Sequence, residues 1–239
     1  MIPIFVITCD RLDALKKSIK SYNDCIKTPF SIVICDQGTT FKSTLRFLKS
    51  LGSNGTKVYW RGKVNKHKER NLARDNEMIA RAVENYFNGH LESNYVVTDP
   101  DILLDNVNGD ILRVYSHLLG TMPEISVVGP MLRIDDIPDY YPLKERLLSK
   151  SNHKKFHSGK VHTISCNGTQ IKYIHAKIDT TFGMFRAGTP WHRLQLGIRT
   201  FAPYSAKHLD WYIDPENLTE DQEYYMKHAS RNAHWSKWN

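Results

Sequence analysis

The sequence predicts an α/β protein: a Rossmann-like, mostly parallel sheet with helices on both faces, followed by a mixed second half. Two observations lead to this. Apolar runs of strand length alternate with stretches of helical periodicity over the first hundred residues. This repeated β-α order requires crossover connections, which place successive strands parallel. In addition, two carboxylates follow the fourth apolar run, at the sheet edge where such proteins bind ligands.

The first half divides into four predicted strands and three predicted helices. Short apolar runs predict strands at 2–8, 30–35, 57–60 and 94–98. Apolar residues at helical spacing predict helices at 12–26, 40–51 and 69–87. The break Gly52-Ser53-Asn54-Gly55 ends the second helix before the third strand.

The second half is less regular. It predicts helices at 111–119 and 143–148 and strands at 125–128, 161–165, 171–174, 181–185 and 198–201, with a polar loop over 138–159. A last helix begins at Thr219, which forms a capping box with Gln222. We therefore expect a single domain over 1–239, with a parallel first half (1–105) and a mixed second half (106–239).

The composition is that of an ordinary globular protein, with 239 residues of which 41% are hydrophobic and 24% charged. The formal charge of +8 favours an anionic partner: nucleic acid, a phosphate-rich substrate or an anionic membrane surface. No apolar run has transmembrane length, and the amino terminus lacks the features of a signal peptide. The four cysteines have neither metal-ligand nor redox spacing. We expect a cytoplasmic protein, with peripheral contact to an anionic membrane as a further expectation.

The motif Asp99-Pro100-Asp101 follows the apolar run 95–97. Two carboxylates on a rigid strand end suit Mg²⁺ or Mn²⁺, and such an ion usually carries substrate phosphates as well. Pro100 fixes the backbone between the two carboxylates. We expect Asp101 to bind the metal directly, and Asp99 to bind it through water or to contact a ribose. Asp105 is a lesser candidate one turn further on.

Four further segments complete a recognisable pattern. They are Ile7-Thr8-Cys9-Asp10-Arg11, Ile34-Cys35-Asp36-Gln37-Gly38, Asn71-Leu72-Ala73-Arg74-Asp75 and Ala206-Lys207-His208-Leu209-Asp210-Trp211-Tyr212. In this order, and with the strand-terminal D-x-D, they resemble A-type (GT-A) nucleotide-diphospho-sugar glycosyltransferases, especially inverting members related to family two. Asp10 stands where that family usually has Asn, and Thr39 where it has Ser.

The resemblance implies a nucleotide site in the first half. It places Thr8 and Arg11 beside the nucleotide, Asp36 against the imide of a uracil or thymine, and Arg74 near the phosphates. Simpler interpretations remain open: Asp36 as a turn residue before Gly38, Arg11 as a solvated residue at a helix start, and Arg74 paired with Glu77. Some basic residues of the preceding loop could also contact phosphate: Lys63, Lys66, His67, Lys68 and Arg70.

The resemblance also implies site residues in the second half. Asp179 is at the place where inverting relatives carry the base that deprotonates the acceptor hydroxyl. His208 is at the place of a late metal ligand, and imidazole with carboxylate suits Mn²⁺. The alternatives for the base are Asp135, Asp136 and Asp139, and those for the ligand are His162, His175 and His192. Nearby aromatic residues offer an acceptor platform, or are simply core: Trp191, Trp211, Tyr204 and Tyr212.

The sequence thus predicts a metal-dependent glycosyltransferase that uses Mn²⁺ or Mg²⁺. Its donor is a nucleotide-diphosphate sugar, with UDP-sugars favoured, and its acceptor is a glycan or lipid-linked hydroxyl attacked with inversion. No nucleic-acid partner is expected. One alternative is a non-enzymatic basic domain that binds nucleic acid, as the charge suggests. Another is a sugar nucleotidyltransferase, although its Gly-rich first loop is replaced here by Cys9-Asp10-Arg11-Leu12.

Overall fold

The structure is a computed structural model that describes residues 1–61, 72–149, 159–166, 168–229, 235–236 and 238. The basic loop that contains Lys63, Lys66, His67, Lys68 and Arg70 lies outside the described residues, so the expectation that one of them contacts phosphate stays a prediction.

The described residues form strands and helices in the predicted order. The strands are β1 (Ile2–Thr8), β2 (Phe30–Asp36), β3 (Lys57–Trp60), β4 (Tyr95–Thr98), β5 (Ile102–Leu103), β6 (Val127–Pro130), β7 (His162–Cys166), β8 (Thr169–Ile178), β9 (Gly183–Phe185), β10 (Gln195–Thr200) and β11 (Lys207–His208). The helices are α1 (Leu12–Cys25), α2 (Lys42–Ser53), α3 (Leu72–Tyr86), α4 (Ile111–Thr121), α5 (Lys144–Leu148) and α6 (Glu220–His228), with a 3₁₀ helix at Leu209–Tyr212.

Nine strands form one sheet in the order β3-β2-β1-β4-β9-β6-β10-β8-β7, and β11 pairs with β5 in a small second sheet. The four strands of the first half are parallel to one another. In the second half β9 runs antiparallel between β4 and β6, β10 is parallel to β6, and β8 and β7 complete the sheet antiparallel. The predicted α/β class, with a parallel first half and a mixed second half, is confirmed.

The central position of β1 follows from its continuous apolar sequence, because a strand covered on both faces needs apolar side chains in both directions. Ile4 and Val6 pack in the core cluster that includes Leu15 of α1. Phe5, on the opposite face, packs in the cluster that includes Ile79 of α3. Helices therefore cover both faces of the parallel half, as predicted. None of the described helices combines the length and apolar character needed to cross a membrane.

The differences from the sequence prediction are mostly in the second half. The strand expected at 171–174 is part of the longer β8, and the one expected at 181–185 is shortened to β9. The two-residue strands β5 and β11 were not predicted, because elements this short carry no periodicity. The capping box of Thr219 with Gln222 is confirmed at the start of α6.

The close packing of β10 on β6 yields a stability prediction at Gly197. A Cβ built at Gly197 would lie 2.1 Å from the carbonyl oxygen of Val127, so backbone would have to move. We expect Gly197→Ala to lower the free energy of unfolding by at least about 2 kcal/mol, as overpacking does. Urea denaturation followed by circular dichroism measures the change.

Gly120 provides the matched control, because it lies in α4 and a Cβ there would meet nothing within 4 Å. Alanine in a helix is favoured over glycine by about 0.5–1 kcal/mol, so Gly120→Ala should leave stability unchanged or raise it. Equal unfolding free energies for the two variants would show that the packing between β10 and β6 is looser than described.

Candidate functional site

Side chains from four separate segments meet at the carboxyl end of the parallel strands. Arg11 is the N-cap of α1, Asp101 follows β4, His208 is in β11 and Asp210 is in the 3₁₀ helix. Ligand atoms of Asp101, His208 and Asp210 lie within 4.8 Å of one another. We call these three residues the DHD cluster. Asp210 was not predicted as a site residue, although it lies inside the motif 206–212.

The short second sheet explains how the late residues reach the early ones. β11 pairs antiparallel with β5, which places His208 opposite Ile102. The backbone N–H of Leu209 also donates to the carbonyl oxygen of Asp101 at 2.7 Å. The imidazole of His208 stacks on the indole of Trp211, with ring centroids 4.9 Å apart and planes 7° from parallel. The imidazole of His208 is therefore positioned by the backbone pairing of β11 and by the stacked indole of Trp211.

Arg11 contacts both carboxylates of the DHD cluster. Its Nη1 lies 3.1 Å from Asp101 Oδ2 and 3.0 Å from Asp210 Oδ2, and its Nη2 donates to Asp210 Oδ1. Burial alone would lower the pKa of Arg11, but the charges of Asp210 and Asp101 raise it well above its ordinary value. Burial likewise opposes ionisation of Asp210, yet the charge of Arg11 holds the pKa of Asp210 below its usual range. The pair of Arg11 and Asp210 therefore favours the charged form of both partners.

The DHD cluster fits a divalent cation. Asp101 is 3% exposed, and its Oδ1 has no hydrogen-bond partner among the described residues. The Nδ1 of His208 is also buried without a described hydrogen-bond partner and lies 3.7 Å from Asp101 Oδ2. Buried polar atoms are almost always paired, so two such atoms side by side indicate a missing ligand. Two carboxylates with an imidazole match the donor preference of Mn²⁺.

Asp99 is not part of the DHD cluster in the described structure. Its N–H donates to the carbonyl oxygen of Thr180 at 2.6 Å, and the hydroxyl of Thr180 donates to its carboxylate. Arg193 Nη2 is 4.0 Å from the same carboxylate. Burial raises the pKa of Asp99 to about 6, and the charge of Asp101 adds to this, while Arg193 and Thr180 oppose it. The role of Asp99 at a metal or a ribose stays a prediction.

Asp179 lies beside Thr180, at the end of β8, and its charge acts on Asp99. Its side chain is 30% exposed and its Oδ1 is 3.5 Å from Nη2 of Arg199. Arg199 is itself fixed in the sheet, because Nη1 donates to the carbonyl oxygen of Pro130 at 2.8 Å and to Thr181 Oγ1 at 2.9 Å. The structure thus brings Asp179 and Asp99 into one charged region, with Asp179 accessible from solvent.

Three candidates for the nucleotide site lie in two places: Thr8 and Asp36 at strand ends, and Arg74 on α3. Thr8 and Asp36 are paired in register at the ends of β1 and β2. The carboxylate of Asp36 accepts hydrogen bonds from the N–H groups of Gly38 (3.2 Å) and Thr39 (3.0 Å), so it organises the turn, as the simpler interpretation holds. Burial raises the pKa of Asp36. Arg74 lies exposed on α3. Nucleotide contacts by these residues stay predictions.

Most of the alternative residues have other environments. Asp105 pairs with Arg133, Asp136 with Lys207 at 3.0 Å, and the exposed Asp139 with Lys144 at 2.6 Å. His162 and His175 pack around Tyr173 on β7 and β8, away from the DHD cluster in the sheet order. Of the four aromatic candidates, three are buried core residues: Trp191, Tyr204 and Trp211. The fourth, Tyr212, is partly exposed.

No protein-family model matches the chain, and no curated protein matches it. Solved structures that align with part of it are nucleotide-sugar glycosyltransferases of the A type. The mannosyltransferase PcManGT from Pyrobaculum calidifontis, in complex with GDP-Man and Mn²⁺, aligns at 15% identity and a TM-score of 0.41, over 56% of this chain and 36% of that one. TarS from S. aureus, in complex with UDP-GlcNAc, aligns at 14% identity and a TM-score of 0.39, over 59% of this chain and 37% of that one.

Glucosyl-3-phosphoglycerate synthase from Mycobacterium tuberculosis, in complex with Mn²⁺ and UDP-glucose, aligns at 15% identity and a TM-score of 0.37. The alignment covers 57% of this chain and 45% of that one. The chain therefore spans less than half the length of each of these three structures. At such low identities and TM-scores, the alignments assign neither an activity nor a residue role to this chain.

Asp10, where the resembling family has Asn, has a structural role that can be tested. Its φ is 58°, a conformation that Asp and Asn tolerate better than most residues. Its Oδ1 accepts hydrogen bonds from the N–H groups of Thr40 (2.5 Å) and Phe41 (2.7 Å), just before α2 begins. We expect Asp10→Ala to lower the free energy of unfolding by about 1–3 kcal/mol, because these partly buried donors lose their acceptor.

Asp10→Asn is the matched variant, since its side-chain oxygen can accept the same bonds at the same φ. It should keep more than half of the stability lost in Asp10→Ala, as measured by thermal and urea unfolding. An asparagine variant as unstable as the alanine variant would show that this position requires the negative charge of Asp10 rather than the two hydrogen bonds.

Proposed function

We propose that the chain is a metal-dependent glycosyltransferase that moves a sugar from a nucleotide-diphosphate donor to a hydroxyl of a glycan or lipid-linked acceptor. UDP-sugars are favoured as donors, and the reaction inverts the anomeric centre. The observation that carries the proposal is the DHD cluster. It combines unpaired buried donor atoms with a position at the carboxyl end of parallel strands, where α/β sheets bind nucleotides.

In this proposal Asp101 and His208 hold Mn²⁺ or Mg²⁺, with Asp210 beside them, and Asp99 contacts the ion through water or contacts the ribose. When bound, the ion neutralises the charge that develops on the leaving diphosphate. The net charge of +8 is consistent with an anionic donor.

The nucleotide itself is assigned to the ends of β1 and β2. Asp36 still has lone pairs beyond the two turn hydrogen bonds, because each carboxylate oxygen accepts more than one. One of them can accept the imide N–H of uracil. Thr8 Oγ1 is buried without a described hydrogen-bond partner, next to Asp36 in register. Arg74 and Arg11 are the candidates for phosphate oxygens, since a guanidinium can bind phosphate with two parallel hydrogen bonds.

Asp179 is assigned as the base that accepts the proton of the acceptor hydroxyl. A base must be reachable by substrate, and the side chain of Asp179 is 30% exposed. The contact with Arg199 orients the carboxylate from a guanidinium that is buried in the sheet. The inverting outcome rests on this assignment, because direct attack by a deprotonated hydroxyl inverts the anomeric carbon in one step.

The test of the function is a screen of nucleotide sugars for slow hydrolysis with Mn²⁺ present, combined with thermal shift. UDP with Mn²⁺ should raise the melting temperature, whereas GDP with Mn²⁺ should raise it less and duplex DNA should leave it unchanged. Stabilisation by DNA without any effect of nucleotides would favour the nucleic-acid-binding alternative instead.

The metal assignment predicts the behaviour of Asp101→Ala. Loss of the Asp101 carboxylate should abolish the Mn²⁺-dependent part of UDP binding while the fold survives, because Arg11 keeps its contacts with both oxygens of Asp210 when Asp101 is removed. Calorimetry of UDP with and without Mn²⁺ measures this. His208→Ala should give a weaker effect of the same kind. Asp24→Ala, on the exposed end of α1, is the control. Metal-enhanced UDP binding that persists in Asp101→Ala would refute the assignment.

The base assignment predicts a different kind of defect. Asp179→Asn should leave donor and Mn²⁺ binding intact and lower transfer by roughly 10²–10⁴-fold, since only proton transfer is lost. Single-turnover transfer and donor calorimetry are measured on the same preparation. Asp139→Asn changes an exposed carboxylate that pairs with Lys144. If Asp139→Asn loses sugar-transfer activity and Asp179→Asn keeps it, the base has been assigned to the wrong carboxylate.

A further inference from the structure

The guanidinium of Arg11 uses the same carboxylate oxygens that a metal at the DHD cluster would need. Three of its N–H···O contacts go to Asp101 Oδ2 and to both oxygens of Asp210. The three side chains are almost completely removed from solvent, at 11% exposure for Arg11 and 5% for each aspartate. Water therefore screens the charges in this group only weakly.

A divalent cation and this guanidinium cannot hold these oxygens together. Carboxylate oxygens bind Mg²⁺ at about 2.0–2.1 Å, and an ion so placed on Asp210 and Asp101 would lie next to the positive charge of Arg11. The two cations repel strongly at that distance in a poorly screened site. With Arg11 in its present place, the buried atoms of the DHD cluster without a partner among the described residues are Asp101 Oδ1 and His208 Nδ1. Two ligands are few for Mn²⁺ or Mg²⁺.

We propose that Arg11 is the internal counter-ion of the DHD cluster, and that a divalent cation binds Asp101, His208 and Asp210 by displacing the Arg11 guanidinium. Arg11 thereby sets the affinity for the metal. The inference rests on the proposed function only for the presence of a metal. It adds Asp210 as a ligand and gives Arg11 a part in metal binding.

Arg11 and Asp210 each have a further contact besides the one they make with each other. Its guanidinium lies 4.8 Å from the ring centroid of Tyr225 on α6, and Asp210 accepts a hydrogen bond from Ser236 Oγ at 3.0 Å. Asp210 thus keeps one protein partner when Arg11 leaves. Removing Arg11 without supplying a metal leaves two buried carboxylates close together, which destabilises the protein. Added metal should restore that stability.

The experiment titrates Mn²⁺ into the nucleotide-free protein, with free Mn²⁺ followed by electron paramagnetic resonance and melting temperature followed in parallel. Without metal, Arg11→Met should have a lower melting temperature than wild type. It should bind Mn²⁺ at least about tenfold more tightly than wild type, and Mn²⁺ should raise its melting temperature by more. Arg11→Lys keeps the charge but cannot reach both carboxylates with a planar fork, so it should lie between. Asp210→Asn should bind Mn²⁺ at least about tenfold more weakly, because a ligand is lost and Arg11 remains.

Arg61→Met is the matched control. Arg61 is another largely buried arginine paired with an aspartate, Asp75, but it follows β3 at the far edge of the sheet. Its loss should lower the melting temperature and leave the Mn²⁺ affinity unchanged. Mn²⁺ affinity in Arg11→Met equal to or below that of wild type would overturn the proposal. If Arg11→Met does not fold even with Mn²⁺, Arg11→Lys decides by the same criterion. Absence of Mn²⁺ binding in all variants also overturns it.

These outcomes are separate from those of the proposed function. A protein whose Mn²⁺ affinity depends on Arg11 as expected, yet which hydrolyses no nucleotide sugar, keeps the exchange and loses the proposed function. A protein that hydrolyses nucleotide sugars with an Mn²⁺ affinity indifferent to Arg11 keeps the function and loses the exchange.

Discussion

Strand β1 pairs in parallel with β2 on one side and with β4 on the other, and this arrangement fixes where the chemistry of the molecule can be. Parallel strands end at the same edge of a sheet, so the residues that follow β1, β2 and β4 must meet there. The pairing places Thr8 beside Asp36 and brings Arg11 to Asp101. It depends in turn on the apolar character of β1 in both directions, because helices cover both of its faces.

Two segments of the second half return to this edge of the sheet and add side chains to the candidate site. The segment before β9 brings Asp179 and Thr180 to Asp99, because β9 inserts antiparallel next to β4. Later in the chain, β11 pairs with β5 and carries His208 and the following 3₁₀ helix to Asp101. Two short antiparallel pairings, rather than one large interface, thus complete the candidate site. Each contributing segment is anchored by backbone hydrogen bonds, so the side chains start from fixed positions.

Each carboxylate of the site lies near a guanidinium. Arg11 contacts both Asp101 and Asp210, Arg193 lies near Asp99, and Arg199 contacts Asp179. Such pairing is expected where several carboxylates are buried together, because an unpaired buried charge is strongly unfavourable. The proposed exchange would give the site two states of different charge, one with Arg11 on the carboxylates and one with a metal. Burial acts oppositely on two of these groups: it lowers the pKa of Arg11, which the charges of Asp210 and Asp101 nevertheless raise, and it raises the pKa of Asp99.

The sequence by itself determined the α/β class and the order of elements in the first half, and it marked Asp101 as a candidate metal ligand. These follow from local signals: apolar runs, helical periodicity, a capping box at Thr219, and a carboxylate motif after a strand. His208 was marked only by the resemblance to a known family, and the structure places it beside Asp101. Tertiary structure decided the rest. Asp210 and Arg11 are 199 residues apart in sequence, and no local pattern predicts that they pair. Likewise, Asp99 and Asp101 stand two residues apart in one motif, yet only Asp101 joins the DHD cluster. The motif lies in the turn that follows β4 rather than in the strand, so the two carboxylates are not held on one face. Their partners depend on what the rest of the chain places against each one.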